Sequence, residues 1–302
     1  MRLMTTWSGL EWSLAVAEFW EETLILRTLS GSRAHGLARE GSDTDTRGVC
    51  IPPDRYLLGL SKFEQHTSEG GDHVTYALAK FVRLALQGNP NILESLFTHE
   101  EDVLFLSPAG RQLIEAKNLF LSKQVGRRFM GYALDQLQRI ERHYRWLKNP
   151  PSAKPESRDY GARLQGGRER FPDTDQQRAF EADLKHWNHY LTWRRERNPT
   201  RAALEEKHGY DTKHAMHLVR LLKMGSEVLT DGTLLVRRPD AGHLLGIRDG
   251  ALDYPSLVAL AENMTSSLKG QIASSSLPEQ PDEAAAEALL IQLHRAALTL
   301  PN

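Results

Sequence analysis

Residues 24–51, LILRTLSGSRAHGLAREGSDTDTRGVCI, decide the fold of this chain of 302 residues. The segment opens on the apolar run LIL, which has the length and branching of a buried strand and ends before Gly31-Ser32. Residues 33–38 are predicted to form a short helix. After a Gly-Ser turn, residues 47–51 predict a second strand. The segment is therefore predicted to contain two strands joined by a helix and a turn.

Two carboxylates lie at the start of this second strand. Because residues two apart on a strand face the same side, Asp43 and Asp45 are expected to project together. Neighbouring carboxylates repel unless a cation lies between them, and Mg²⁺ prefers such hard oxygen ligands. Gly31 and Ser32 lie at the predicted helix start, where free backbone N–H groups attract phosphate. A metal site beside a phosphate site is what nucleotidyl transfer requires.

The Asp-x-Asp spacing alone is weak evidence for a metal site. Asp173-Thr174-Asp175 has the same spacing, but it follows Pro172 in a polar stretch. That copy is interpreted as a loop or a helix start. The alternative for Ser42 to Asp45 is an ordinary Asx-type turn. The surrounding order of strand, Gly-Ser, helix, turn and strand favours the functional interpretation for the first copy.

Four motifs resemble a known family. They are GSRAHG at 31–36, SDTDTRGV at 42–49, GNPN with Glu94 at 88–94, and DTKHA at 211–215. The pattern is similar to the DNA polymerase β superfamily of nucleotidyltransferases, and within it to the RNA-repair-pathway (RlaP-type) branch. The resemblance covers about residues 24–100 and 205–250.

The resemblance implies an α+β fold. A polymerase-β-like nucleotidyltransferase domain, with a small mixed sheet and helices, is expected over 1–118. A mainly helical domain with a basic surface is expected over 119–302. Residues 148–173 are predicted to be a long loop, which in a compact chain is usually functional or disordered. Apolar spacing predicts helices over 9–20, 254–268 and from the cap Asp211 to Met224, and a strand over 232–238. Residues 274–283 are predicted to link a terminal helix.

In this superfamily a third carboxylate comes from a later strand beside the Asp pair. Asp72 is the best-placed acid, with Glu64 and Glu69 as rivals, although Asp72 could be a simple turn residue after two glycines. Asp43, Asp45 and Asp72 are thus the predicted catalytic residues and the predicted ligands of two Mg²⁺ or Mn²⁺ ions.

Gly31 and Ser32 are the predicted contacts of the leaving phosphates of a nucleoside triphosphate. Members of the superfamily often complete the nucleotide site from a helical second domain. Lys213 and Arg220, which share a helix face with His217, are therefore candidates for triphosphate contacts, with a plain solvent-facing surface as the alternative. The resemblance also suggests that either Asn91 or Glu94 faces the site.

Charge is unevenly distributed along the chain. Residues 121–240 carry 24 Lys and Arg against 16 Asp and Glu, a balance of +8, although the whole chain has a net charge of −1. Such asymmetry indicates a polyanionic partner or a solvated helical face. On a helix predicted over 122–147, basic side chains recur every third residue and could follow an RNA phosphate backbone. They are Arg139, Arg142, Arg145 and Lys148.

Composition sets further bounds. The single cysteine, Cys50, excludes an intrachain disulfide and argues for a reducing compartment. The sequence shows no signal-peptide pattern and no apolar run that approaches a membrane span, so a cytoplasmic protein without a membrane partner is expected.

The sequence thus predicts a Mg²⁺-dependent enzyme that transfers a nucleoside monophosphate to a hydroxyl and releases pyrophosphate, with RNA (tRNA or RNA under repair) as the favoured acceptor. Two alternatives remain: transfer to a protein or small molecule, and a catalytically silent nucleotide- or RNA-binding module. Intact Asp43 and Asp45 count against the silent module. The oligomeric state is not determined by the sequence.

Overall fold

The computed structural model describes residues 19–299, which form a mixed sheet with helices and then a mainly helical part. This confirms the predicted α+β fold class. The strands of the sheet are β1 (Leu24–Ser30), β2 (Asp45–Cys50), β3 (Gln65–Thr67), β4 (His73–Ala77) and β5 (Val103–Leu106). Their order across the sheet is β3-β4-β2-β1-β5.

The hairpin predicted over residues 24–51 is the centre of this sheet. β1 pairs antiparallel with β2, and Ser30 lies opposite Asp45. The strand β2 begins at Asp45, earlier than predicted, and the helix between the strands covers only Gly31–Ala34. Cys50 is fully buried at the end of β2, and burial raises the pKa of its thiol to about 12. The thiol is therefore packed rather than reactive.

The outer strands complete a mixed sheet. β4 lies parallel to β2, β3 is antiparallel to β4, and β5 is antiparallel to β1. The sequence does not predict β3 and β5, because neither alternates between buried and exposed side chains. In β5 the two central residues, Leu104 and Phe105, are both exposed. Pairing with β1, rather than a local pattern, determines this strand.

Six α-helices are interleaved with these strands in the described part of the chain: α1 (Phe19–Glu22), α2 (Gly31–Ala34), α3 (Asp54–Leu57), α4 (Leu78–Leu86), α5 (Pro90–Leu96) and α6 (Pro108–Glu115). α4 buries Phe81 and Val82, as its apolar spacing predicts. Asn89 caps α5 by accepting a hydrogen bond from the Asn91 amide, and Pro90 occupies the first helical position.

The following helices are α7 (Lys123–Lys148), α8 (Thr174–Glu196), α9 (Pro199–His208), α10 (Thr212–Asp231), α11 (Ala241–Arg248), α12 (Tyr254–Ser274) and α13 (Glu283–Leu298). Between α7 and α8, the predicted loop contains a small hairpin of β6 (Arg163–Gln165) and β7 (Arg168–Arg170).

Three predicted elements differ from the structure, and a fourth lies mostly outside the described residues. The strand predicted over 232–238 is wrong, because that segment is irregular. The helix α10 continues to Asp231, beyond its predicted end at Met224, and α12 likewise runs on to Ser274. The helix predicted over 9–20 lies mostly outside the described residues.

The chain folds into two compact units. The first comprises the residues up to Ala133, Val219–Leu245 and the residues from Ala261 onward. The second comprises Leu134–Leu218 and Gly246–Leu260. The predicted division after residue 118 does not coincide with these units, because two late segments of the chain belong with the sheet. Within residues 19–299, no helix has the length and apolar character needed to span a bilayer.

Gly110 allows α6 to approach β1 closely. A Cβ atom at this position would overlap the backbone carbonyl oxygen of Ile25 in β1. We expect Gly110→Ala to lower the free energy of unfolding by about 1–3 kcal/mol, because the helix must move away from the sheet. Chemical denaturation measures the change.

The matched control is Gly131→Ala in α7, where a Cβ atom meets nothing within 4 Å. The same substitution should there raise the free energy of unfolding by about 0.5–1 kcal/mol, because alanine loses less backbone entropy in a helix. Equal effects at the two positions would contradict the close approach of α6 to β1.

Candidate functional site

The turn after β1 brings a backbone glycine against a carboxylate. Gly31 has φ 62°, in the left-handed region that favours glycine. A Cβ atom on Gly31 would overlap the carboxylate of Asp45, which lies across the β1–β2 pair. The chain can therefore place the Asp45 side chain directly against the start of α2 only with glycine at this position.

The loop between α2 and β2 is held by side chains of the same segment. The Arg33 guanidinium donates hydrogen bonds to the carbonyls of Ser42 (2.9 Å) and Asp43 (3.2 Å). The Ser42 hydroxyl accepts one from the Arg39 amide at 2.8 Å. Asp45 is half-buried at the first position of β2, whereas Asp43 is exposed and precedes the strand. The strand-alternation reasoning therefore does not apply to Asp43.

Asp72 precedes β4, next to the Asp45 end of β2. The Thr46 amide donates to the Asp72 carbonyl at 2.9 Å, and the Arg47 guanidinium donates to the same oxygen at 3.0 Å. Register in the parallel β2–β4 pair, with Thr46 opposite His73, places Asp72 opposite Asp45. The predicted adjacency of these two strands is confirmed.

The rival acids lie elsewhere. Glu64 accepts a backbone hydrogen bond from Ala77, at the opposite end of β4, about 16 Å along the strand from Asp72. Its carboxylate forms an ion pair with Arg83 at 2.8 Å. Glu69 is exposed in the turn that precedes β4. Position in the sheet therefore favours Asp72 as the third carboxylate.

The donor set suits a hard cation that is shared with a phosphate. In the described part of the chain, no three His, Cys, Asp or Glu side chains form a group that could hold a metal by themselves. The Asp72 carboxylate is turned toward Gly70, where a Cβ atom would lie 3.1 Å from Oδ2. Mg²⁺ usually takes one or two carboxylates and completes its shell with water and substrate phosphates. Asp43 and Asp45 fit that requirement.

A buried ion cluster includes His35, the residue that ends the turn formed by Gly31–Ala34, called here the Gly31 turn. Glu94 in α5 accepts a hydrogen bond from Arg220 in α10 at 2.5 Å, and its other oxygen lies 3.3 Å from Nε2 of His35. The side chains of Glu94, Arg220 and His35 are 7%, 8% and 2% exposed. The cluster therefore connects three segments that are far apart in the sequence: the end of α2, the helix α5 and the helix α10.

Glu94 is ionised in this cluster. Burial raises the pKa of its carboxyl group, but the nearby charges of Arg220 and His35 outweigh burial, so the net pKa lies well below the ordinary value. An ionised Glu94 is what a buried Arg220 requires for charge balance.

His35 is held from a second side by the irregular segment that follows α10. Its Nδ1 atom donates to the carbonyl of Val236 at 3.1 Å, and its own carbonyl accepts from the amide of Arg238. Arg238 is itself buried in a bidentate pair with Glu227 at 2.6 Å. The segment predicted as a strand therefore uses its backbone groups to fix the Gly31 turn.

Arg220 does not share a solvent-facing surface with Lys213 and His217, which corrects that expectation. It is buried in the first unit, and its guanidinium contacts Glu94. Lys213 is half-buried and belongs to the second unit. Its triphosphate contact stays a prediction.

The four basic residues that recur every third position on α7 do not share one environment. Arg139 and Arg142 line a cavity of the second unit, and Arg145 and Lys148 do not. Arg139, Arg145 and Lys148 are exposed, and Arg142 is half-buried. Sequence reasoning missed the supporting residues Arg33 and His35, although both stand within the GSRAHG motif.

The five-stranded mixed sheet with its helices, followed by a mainly helical part, agrees with the α+β fold expected from the sequence. Residues 11–154 match the family model RlaP, described as the RNA repair pathway DNA polymerase beta family. The resemblance is thereby confirmed for the part of the chain that carries Gly31, Asp43, Asp45 and Asp72. The DTKHA motif lies beyond the matched residues. The search of curated proteins finds no match.

Glu94→Gln should destabilise the fold. The variant leaves Arg220 buried without a counter-charge, which costs about 3–5 kcal/mol of unfolding free energy. Because the pKa of Glu94 is lowered in the folded state, its contribution to stability is present above the ordinary pKa of a glutamate. That contribution is lost as pH falls through the folded-state value. Urea denaturation across acidic pH should therefore show a steeper loss in the unsubstituted protein than in Glu94→Gln.

The control is Glu279→Gln, which removes an exposed carboxylate paired with Lys123 and Arg127. Exposed pairs contribute little, so only a small change is expected. Two variants of equal stability would show that the buried cluster does not hold the turn.

Proposed function

We propose that this protein transfers a nucleoside monophosphate from a nucleoside triphosphate to a hydroxyl group and releases pyrophosphate. The similarity to the RlaP family indicates a polymerase-β-like nucleotidyltransferase of RNA repair. The observation that carries the proposal is the Asp45 carboxylate held against the left-handed Gly31, with Asp72 opposite it, immediately before the neighbouring strand β4. In this proposal the turn binds phosphate, and the carboxylates beside it bind the metal.

The residues of the turn bind the leaving phosphates. The backbone N–H groups of Gly31 and Ser32 at the start of α2 attract anionic oxygens, and the His35 anchor keeps the turn in place. Asp43 and Asp45 would hold Mg²⁺ together with the triphosphate. When bound, a pair of such ions stabilises negative charge on the attacking and leaving oxygens of an in-line displacement.

Arg220 acts as a positioning residue through Glu94 and His35 rather than by touching phosphate. Its charge is already matched inside the protein, so moving it toward a substrate would leave Glu94 uncompensated. This role replaces the triphosphate contact expected from the helix-face pattern.

RNA is the favoured acceptor. The excess of basic residues over 121–240 and the RNA-repair description of the matched family support it. Incubation with each α-labelled nucleoside triphosphate, with and without cellular RNA, separates the candidate functions. Label in RNA supports the proposal, label in protein or a small molecule supports the alternative transferase, and no label supports a silent module.

Asp43→Asn and Asp45→Asn should each abolish label transfer and leave the fold intact. Each change removes a negative charge needed to hold the cation, and loss of one member of a repelling pair does not reduce stability much. The matched control is Asp175→Asn from the other Asp-x-Asp pair, which is exposed at the start of α8. The control should transfer label normally. Full turnover by the Asp43→Asn, Asp45→Asn double variant would contradict the assignment.

Asp72→Asn should retain triphosphate binding but lose the chemical step. Asp72 immediately precedes β4, whereas the residues that bind the triphosphate lie between β1 and β2 or at the start of β2. Two-metal displacements separate the site that activates the hydroxyl from the site that holds the leaving phosphates. Triphosphate affinity and single-turnover rate measure the two functions. Glu64→Gln and Glu69→Gln serve as controls with normal values of both. A dead Glu64 or Glu69 variant beside a normal Asp72→Asn would reassign the third carboxylate.

A further inference from the structure

The second unit contains a cavity of about 620 Å³ that the nucleotidyl-transfer site does not use. Its lining residues come from α7, α8, α9 and the start of α10, all between Arg139 and His214. The volume lies within the range of about 300–1,000 Å³ that is typical of small-molecule sites. The cavity is therefore large enough for a ligand of that class.

Two arginines of the cavity are already neutralised. Arg197 pairs with Glu205 at 2.5 Å, and Arg201 pairs with Asp211 at 3.2 Å. Both carboxylates are only 1% exposed. Burial raises the pKa of Asp211, but His214 and Arg201 outweigh it, so its net pKa is below the ordinary value. These pairs form a fixed wall without net charge.

Asp211 and His214 of that wall belong to the DTKHA motif. Asp211 accepts a hydrogen bond from the His214 amide at 3.0 Å and so caps α10, and Arg201 contacts both side chains. Thr212, between them, donates to the Arg248 carbonyl at 2.7 Å. The motif therefore shapes this cavity.

Arg139 and Arg142 leave positive charge in the cavity. Within residues 19–299, neither guanidinium has a carboxylate at ion-pair distance. The third acid of the lining, Glu196, is paired with Arg195 at 2.6 Å. The cavity thus retains two guanidinium groups whose charges no carboxylate of the lining neutralises.

Aromatic rings line the same cavity, and one of them lies beside the Arg142 guanidinium. Trp193 is half-buried and lines the cavity, with the Arg197 guanidinium 4.9 Å from its ring. Trp146 is buried, lies 5.3 Å from Trp193 between ring centroids, and donates its indole N–H to His186 at 2.7 Å. The Arg142 guanidinium lies 5.7 Å from the Trp146 ring. A fixed aromatic surface therefore adjoins the Arg142 guanidinium, and Arg139 lines the same cavity.

We propose that this cavity binds a phosphorylated nucleotide, with the base against Trp193 and the phosphate held by Arg139 and Arg142. Guanidinium groups form strong charge-assisted hydrogen bonds to phosphate, and bases stack on aromatic side chains. The nucleotide is either free or the terminal residue of a single-stranded RNA, since both present a base and a phosphate. This site goes beyond the proposed transfer reaction and needs no metal ion.

Isothermal titration calorimetry of the full chain with adenosine 5′-monophosphate tests the proposal, in buffer that contains EDTA so that metal-dependent binding at the Asp43–Asp45 site is removed. Adenosine and inorganic phosphate should each bind at least tenfold more weakly than the nucleotide. Trp193→Ala should weaken nucleotide binding roughly tenfold or more, as expected for loss of one stacking ring. Arg139→Gln with Arg142→Gln should abolish measurable binding.

Two controls make the result specific. Arg145→Gln removes an exposed arginine from the same helix that does not line the cavity, and it should bind the nucleotide normally. The Asp43→Asn, Asp45→Asn double variant should also bind normally, so failure of the transfer proposal would not affect this measurement. Circular dichroism confirms that each variant is folded.

A 5′-phosphorylated single-stranded oligoribonucleotide distinguishes the two sources. Tighter binding of the oligonucleotide than of the mononucleotide, lost in the Arg139→Gln, Arg142→Gln variant, assigns the site to an RNA end. Equal binding assigns it to a free nucleotide. The proposal is overturned if neither ligand binds, if phosphate binds as tightly as the nucleotide, or if the cavity variants bind as the unsubstituted protein does.

Discussion

The buried contact between Glu94 and Arg220 is the interaction on which the N-terminal site depends. A carboxylate and a guanidinium with side chains less than a tenth exposed are stable only as a pair, because either charge alone would lack solvation. Their pairing fixes α5 against α10, and the contact of Glu94 with His35 extends the constraint to the Gly31 turn. The turn that binds phosphate in the proposed reaction is therefore held in place by these buried charged contacts rather than by the short helix α2.

The backbone geometry of Gly31 positions the Asp45 carboxylate at the same site. Gly31 is left-handed and leaves no room for a side chain against Asp45, so the phosphate turn and the carboxylate share one location. The parallel pairing of β4 with β2 then adds Asp72 at the same end of the sheet. Arg33 and Arg47 hold the adjoining backbone through carbonyl contacts. Because these contacts fix the backbone, the neighbouring carboxylates keep their positions although their charges repel.

The two units use arginine in different ways. In the first unit, Arg220 and Arg238 are buried and matched by carboxylates, so they act as internal ties. In the second unit, carboxylates match only some of the arginines. Arg139 and Arg142 line a cavity that also contains tryptophan rings, and Arg142 lies beside Trp146. The positive balance of residues 121–240 is therefore concentrated in part at a defined concave surface rather than spread evenly over a solvated helix face.

The sequence by itself determined the central hairpin, the main helices, and the positions of Gly31, Asp43 and Asp45, because these follow from local apolar runs, caps and turn residues that act within about ten positions of one another. It did not determine β3 and β5, whose residues become strands only by pairing with neighbours. It also did not reveal that Arg220 is buried, since a helix shows its periodicity but not which polar residue meets a distant carboxylate. The irregular segment over 232–238 resembled a strand, yet its hydrogen bonds go to His35 rather than to a sheet. The arginine and tryptophan cavity likewise exists only after α7, α8 and α9 pack together, because its residues come from positions up to about 75 apart in the sequence. Long-range pairing of charges and strands, which no local pattern encodes, decided these features.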